Sequence, residues 1–179
     1  MILRAVLLSL LLAGAAAAQV PEPEGYRMDE YRAPVPDRLS GGTVVTAAEA
    51  YALWQAGGTA FVDVLPRPPK PANLPEGTIW RDKPRLSIPG AIWLPNTGYG
   101  ALAPVMEEYF RAGLDKVTGG DPAHPLLFFC LDDCWMSYNA ARRAIAMGRT
   151  RVYWMPGGTD DWGFFDYPLE RLEPEPGDQ

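Results

Sequence analysis

The stretch Leu126-Leu127-Phe128-Phe129-Cys130-Leu131-Asp132-Asp133-Cys134-Trp135-Met136-Ser137 decides the fold. An apolar run of strand length leads into a polar loop, and a helical pattern runs from Ser137 to Met147. Ser137 is the expected N-cap and Gly148 the expected stop. Both cysteines of the chain, Cys130 and Cys134, fall in this junction. A thiol at the end of a strand and the start of a helix meets unpaired backbone N–H groups and the positive end of the helix dipole. Both favour thiolate over thiol.

The flanking sequence repeats the alternation of strand and helix. Thr46-Ala47-Ala48-Glu49 is a capping box, and Ala50, Leu53 and Trp54 continue on one face to Gly57-Gly58. Ala60-Phe61-Val62-Asp63-Val64-Leu65 reads as a strand, Ala91-Ile92-Trp93-Leu94 as a short buried one, and Val152-Tyr153-Trp154 as the last. Ala103 to Ala112 reads as a helix with Pro104 in its first turn and Gly113 as its stop. Gly157-Gly158 leads into a short helix around Trp162. This order predicts an α/β domain, a parallel sheet flanked by helices. Ligands in such sheets bind at the carboxyl ends of the strands, where Cys130 and Asp63 both stand.

The ends and one internal segment lie outside this pattern. Met1–Arg4 carry one positive charge, Ala5–Leu12 are apolar, and Ala15–Ala18 are small, so residues 1–18 read as a secretory signal peptide too short to span a bilayer. Residues 19–42 read as an irregular arm broken by Pro21, Pro23, Pro34 and Pro36, with Tyr26 and Tyr31 able to pin it to the domain. The domain proper is expected over 43–168. Residues 66–89 are a proline-rich insertion (Pro66, Pro68, Pro69, Pro71, Pro75, Pro84, Pro89) in which Trp80 sits among Arg81, Lys83 and Arg85. It reads equally as a lid over a site or as a solvated excursion. The acidic, proline-rich tail, 169–179, is expected to be loose.

Charge and compartment narrow the function. The chain carries 16 Lys and Arg against 22 Asp and Glu, a net of −6, and loss of Arg4 with the leader makes it more acidic still. That excludes nucleic acid and anionic membrane surfaces as natural partners. The mature protein is expected in a periplasm, with no membrane segment after cleavage. In an oxidising space a cysteine pair is a disulfide by default. The loop closed by Cys130 and Cys134 is too short to confer much entropic stability. The pair therefore reads as redox-active or as a bland structural bridge, and the sequence leaves both open. No zinc spacing, haem-attachment motif or nucleotide loop is present, so no cofactor and no metal are expected. A Cu(I) site would draw on Cys130, Cys134 and His124, but His124 precedes the strand and lies roughly 20 Å from Cys130 in an extended chain. Met136 is explained by packing.

Several motifs together resemble the rhodanese-like superfamily over residues 43–168. Phe61-Val62-Asp63-Val64 follows the first helix, and Ile88-Pro89-Gly90-Ala91 stands at the strand entry. Leu127-Phe128-Phe129-Cys130 is similar to the strand that delivers the catalytic cysteine. Val152-Tyr153-Trp154-Met155-Pro156-Gly157-Gly158, with Trp162 and Pro168, resembles the closing strand and turn. The run Cys130 to Arg143 further resembles the exported PQQ-dependent catabolism-associated CXXCW motif proteins. The resemblance implies Cys130 as the persulfide-bearing cysteine, wrapped by backbone N–H groups of the loop Leu131, Asp132, Asp133, Trp135, Met136 and Ser137. It also implies a quinoprotein dehydrogenase system, or a redox partner, as the company kept.

Three departures redirect the expected chemistry. The loop is one residue longer than the usual rhodanese loop. Asp132 and Asp133 stand where basic residues line it, and a like charge at ~4 Å costs on the order of 4 kcal/mol at an effective dielectric of about 20. They repel thiosulfate unless Arg142 or Arg143 folds back to neutralise them. Cys134 can also expel sulfur from a persulfide and close a disulfide. The expectation is therefore a periplasmic thiol protein working through Cys130 as attacking and Cys134 as resolving thiol, as a sulfurtransferase-like enzyme or a thiol–disulfide oxidoreductase. Trp135 serves shielding, docking or packing, and Asp63 a structural bond to the neighbouring loop. The alternatives are a non-catalytic binding or assembly module with a permanent disulfide, and a Cu(I) carrier.

Overall fold

The computed structural model describes residues 19–81 and 83–177; the leader assigned to 1–18 lies outside them. The strand expected at the cysteine junction forms as Leu126–Phe129 and pairs parallel on both sides. Numbered in chain order, the strands of the main sheet are β1 (Thr43–Val44), β2 (Ala60–Asp63), β4 (Ile92–Trp93), β5 (Leu126–Phe129) and β6 (Val152–Trp154). All are parallel, in the order β1-β6-β5-β2-β4. Four helices flank the sheet: α1 (Ala47–Ala56), α2 (Pro104–Thr118), α3 (Trp135–Ala146) and α4 (Gly158–Phe164). The α/β reading therefore holds.

An all-apolar β5 follows from burial on both faces. Leu126 and Phe128 join Phe110 and Leu114 of α2 and Tyr138 of α3 in one core, and Leu127 and Phe129 join Ala50 of α1 and Trp162 of α4 in the other. The period of two carries on into the loop and sets Cys130 on the α2–α3 side. Asp63 follows the same rule on β2 and falls on the side of Phe61, the opposite face.

The helix boundaries bear out one expectation and correct two. The capping box at Thr46 and Glu49 closes in both directions as read. Gly113 does not stop α2: it lies buried inside, where a Cβ would meet Leu94 Cδ2 at 2.5 Å, and the helix runs on to Thr118, with left-handed Gly119 as its C-cap. Its small size serves close packing, which mimics a stop signal in sequence. Ser137 is not the N-cap of α3. The helix begins at Trp135, Cys134 holds the N-cap position, and no side chain caps it.

The tail and the insertion also differ from expectation, because each holds the other. Arg85–Ser87 (β3) and Glu170–Leu172 (β7) pair antiparallel as a separate two-stranded sheet. Beyond it, Glu175 N donates to Trp93 O, Tyr109 OH to Glu175 O, and Lys116 pairs with the Glu175 carboxylate. The tail is thus docked rather than loose through Glu175. No helix among the described residues is long and apolar enough to cross a membrane.

Candidate functional site

Cys130 leaves the end of β5, and Cys134 opens α3. They are joined in a disulfide with their Cα atoms 6.2 Å apart. Both are buried, at 0% and 2% exposure. Between them stand Leu131, Asp132 and Asp133, one residue more than the CXXCW spacing; the turn is completed by Asp133 in the left-handed region at φ 49°. Trp135, Met136 and Ser137 belong to the first turn of α3 rather than to the loop. Ser137 Oγ donates to Cys134 O and accepts from Trp154 Nε1, which ties the helix start to β6.

The loop is held from the opposite face of the sheet by a buried polar network. Arg85 Nε donates to Asp63 Oδ2 at 2.6 Å, with both residues buried. The other carboxylate oxygen accepts from Leu65 N, the structural bond expected of Asp63. Ser87 Oγ donates to Asp63 Oδ2 as well. Arg85 then spends its remaining N–H groups on Thr159 Oγ1 and on Cys130 O, both at 3.2 Å. The same carbonyl accepts from Thr159 N and Thr159 Oγ1. Gly158 lets α4 come this close: it sits at φ +52°, and a Cβ there would lie 2.7 Å from Cys130 C and 2.6 Å from Leu131 C.

Asp160 Oδ2 accepts from Asp132 N, and Asp132 Oδ1 accepts from Asp133 N. Asp160 and Asp161 in the first turn of α4 add to the same side of the loop. Burial, followed by the charges of Asp132 and Asp160, pushes the Asp161 carboxyl above the usual aspartate value. Arg142 and Arg143 do not fold back to neutralise them. Arg142 donates to Pro23 O and Glu24 O, and Arg143 to the carbonyls of Thr97, Tyr99 and Gly100. Both are taken up instead by the carbonyls of two neighbouring segments, which need donors.

Those bonds belong to a larger docking of the N-terminal arm. Asn139 Oδ1 accepts from Arg27 N, while its Nδ2 donates to Arg27 O and Gly98 O. Glu22 accepts from Tyr138 OH, Ser40 N and Ser40 Oγ. Tyr26 lies under the Arg143 guanidinium, and Tyr31 donates to Met28 O while accepting from Gly100 N. Tyr26 and Tyr31 pin the arm as expected. The arm then crosses the cysteine loop: Trp135 N donates to Tyr31 O, Ala33 N donates to Asp133 O, and Arg32 and Cys134 form an antiparallel bridge. Arg27 covers the Trp135 ring at 5.2 Å.

Burial, ahead of the bond to Glu22, raises the Tyr138 phenol to about 12, so it stays a donor. Burial pushes the Glu22 carboxyl up, but the Ser40 and Tyr138 bonds and the nearby Arg142 outweigh it and hold the group below its ordinary value.

The supporting residues that sequence reasoning missed are Arg85, Ser87 and Thr159. In sequence Arg85 reads as one of the bases of the insertion, and nothing in the local pattern distinguishes it from Lys83. The insertion also walls a cavity of about 320 Å³, lined by Leu65, Pro66, Arg85, Trp80 and Trp93 among others, on the Asp63 side. His124 precedes β5, at the end away from Cys130. Among the described residues no group of three or more His, Cys, Asp and Glu side chains could hold a metal ion.

No protein-family model and no curated protein matches the chain. Among solved structures it is similar to the polysulfide-sulfur transferase homodimer from Wolinella succinogenes, at 16% identity and a TM-score of 0.47 over 73% of this chain and 80% of that one. It is also similar to an uncharacterised protein from Saccharomyces cerevisiae, at 21% identity and a TM-score of 0.40 over 69% and 92%. A third similarity is to EanB in its complex with hercynine, at 26% identity and a TM-score of 0.47, where the match covers 79% of this chain but 34% of that one.

Proposed function

We propose that this is an exported, rhodanese-like thiol protein whose Cys130–Cys134 pair cycles between disulfide and dithiol, with sulfur or electrons as cargo. The observation that carries the reading is the placement of the pair. Cys130 ends a central strand of a parallel sheet, and Cys134 caps the adjoining helix, within disulfide reach. When the bond opens, the N-terminal dipole of α3 favours Cys134 as thiolate. A persulfide on Cys130 then lies beside its own attacking group. Cys134 thiolate attacks the inner sulfur, the disulfide closes, and the outer sulfur leaves as hydrosulfide. The carboxylates of Asp132, Asp160 and Asp161 disfavour thiosulfate as donor and favour neutral or protein-borne thiols and persulfides. A periplasmic setting, through the leader at 1–18, and service to a quinoprotein dehydrogenase system belong to the same proposal.

A second reading is favoured by one observation. Both cysteines lie buried beneath the arm, which also suits a permanent bridge in a binding or assembly module. The Cys134→Ser variant separates the two. After exposure to a protein persulfide or polysulfide donor, the cycling reading expects a persulfide on Cys130 that persists in the variant and is lost as sulfide in the wild type. A Cys130 that takes up no sulfur and forms no mixed disulfide in the variant sinks it.

A further inference from the structure

The arm is bound the way a separate extended peptide would be. Tyr31, Ala33 and Val35 pack on the core that contains Cys130, Cys134 and Trp135, while Arg32 and Pro34 between them are exposed. That is the period of two of an extended strand lying on a surface. Its contacts with the cysteine loop are backbone bonds: Trp135 N to Tyr31 O, Ala33 N to Asp133 O, and the bridge of Arg32 with Cys134. Main-chain pairing of this kind holds a segment with little demand on its side chains. The arm leads up to this crossing from anchors on α3, where Arg142 and Tyr138 hold the stretch around Glu22–Glu24.

One group at the crossing is left unserved. Trp135 is 3% exposed, and its Nε1–H has no acceptor, alone among the buried side-chain polar atoms described. Arg27 and Tyr138 cover the ring without meeting its donor. A buried donor without a partner is costly and calls for an explanation. A segment that brought an acceptor to Trp135 would hold the groove better than the arm does.

We propose that residues 31–35 occupy, in cis, a docking groove for the extended segment of a dithiol partner protein, so that the arm is a displaceable strap over the Cys130–Cys134 disulfide. The inference rests on the cycling reading above. With the strap lifted, a partner thiolate attacks Cys130 Sγ, because Cys134 at the helix N-cap is the better leaving thiolate. A mixed disulfide with Cys130 forms and Cys134 departs as thiolate. The partner's second thiol then attacks the partner's own sulfur and releases Cys130. Two electrons pass from the partner dithiol to the protein disulfide, and the partner leaves oxidised.

The test compares reduction of the full mature chain by thioredoxin, a protein dithiol, in the wild type and in Arg142→Ala and Tyr31→Ala, followed by alkylation and mass measurement of the freed Cys130 and Cys134 thiols. Arg142→Ala loosens the strap far from the cysteines; Tyr31→Ala loosens it at the crossing. Both variants should be reduced at least tenfold faster than the wild type, and a synthetic peptide of residues 27–36 added in trans should restore slow reduction to Arg142→Ala. Rates equal and fast in all three overturn the strap while leaving the cycling pair intact. Rates equal because none is reduced overturn both the strap and the cycling reading. Faster reduction that the peptide does not slow shows general loosening and overturns the groove. Should either variant fail to fold, Trp135→Phe supplies the second measurement. It removes the unserved donor, so thioredoxin should gain no advantage over a small dithiol of equal reducing power; an undiminished advantage contradicts the proposal.

Discussion

Arg85 donates to the carbonyl oxygen of Cys130 across 3.2 Å while its Nε is paired with buried Asp63. The backbone that presents the disulfide on one face of the sheet is therefore fixed by an ion pair on the other. Removing the cation alone leaves a buried carboxylate uncompensated. Arg85→Met is expected to destabilise the fold by about 3–5 kcal/mol, and Asp63→Asn combined with it to recover much of that loss. Arg85→Lys should rescue poorly, because one ammonium cannot reach Asp63, Thr159 and Cys130 together. Denaturant unfolding of the four proteins checks this, and equal stability of Arg85→Met and wild type contradicts it.

The approach of α4 to the cysteine loop depends on Gly158. A Cβ there would fall within 2.7 Å of Cys130 O, at a residue with φ +52°. Gly158→Ala should cost roughly 1–3 kcal/mol in left-handed strain, with steric displacement of the loop in addition. Gly148→Ala is the control, since it also has positive φ but nothing within 4 Å. The expected outcome is that only Gly158→Ala changes the rate at which the disulfide is reduced. Equal effects of the two on that rate would show that contact with the loop is irrelevant.

Acid should weaken the arm's anchor at Glu22. The folded group titrates below its usual 4.5. A depressed carboxyl contributes stability that is present above the unfolded value and is lost as pH falls through the folded one. The stability difference between wild type and Glu22→Gln is therefore expected to be full at pH 7 and to vanish as the pH drops below 4.5. Unfolding curves of the pair across that range measure it. A difference that stays constant with pH would remove Glu22 ionisation from the account.

The carboxylates around the loop should select among reductants by charge. Asp132, Asp160 and Asp161 lie on one side of it, with no guanidinium from α3 among them. At low salt, cysteamine should reduce the disulfide about tenfold faster than mercaptoethanesulfonate after correction for thiol pKa, and the ratio should shrink as salt is added. A ratio near one at low salt would mean that the cluster does not act on the reacting sulfurs.

The sequence made the cysteine junction legible because β5, its loop and the start of α3 are contiguous, and an apolar run ending in a polar turn has few other readings. The capping box at Thr46 was legible for the same local reason. What escaped depends on distant partners. Arg85 is one base among several in a proline-rich segment until β7 pairs with β3 and carries it inward. Gly113 has the spacing of a stop, yet Leu94 is what requires it to be small. Whether Arg142 and Arg143 fold back onto the acidic pair was left open by the sequence, because their partners lie in the arm and in the loop after β4, remote in sequence. The arm's own docking was foreshadowed only by its two tyrosines.

The reduction potential of the Cys130–Cys134 pair in the full chain is the most direct test of the central claim. A cycling pair is expected to equilibrate with protein dithiols and to lie above about −300 mV. A potential well below that value, with no persulfide or mixed disulfide trapped on Cys130, would contradict the claim and leave the pair a structural bridge.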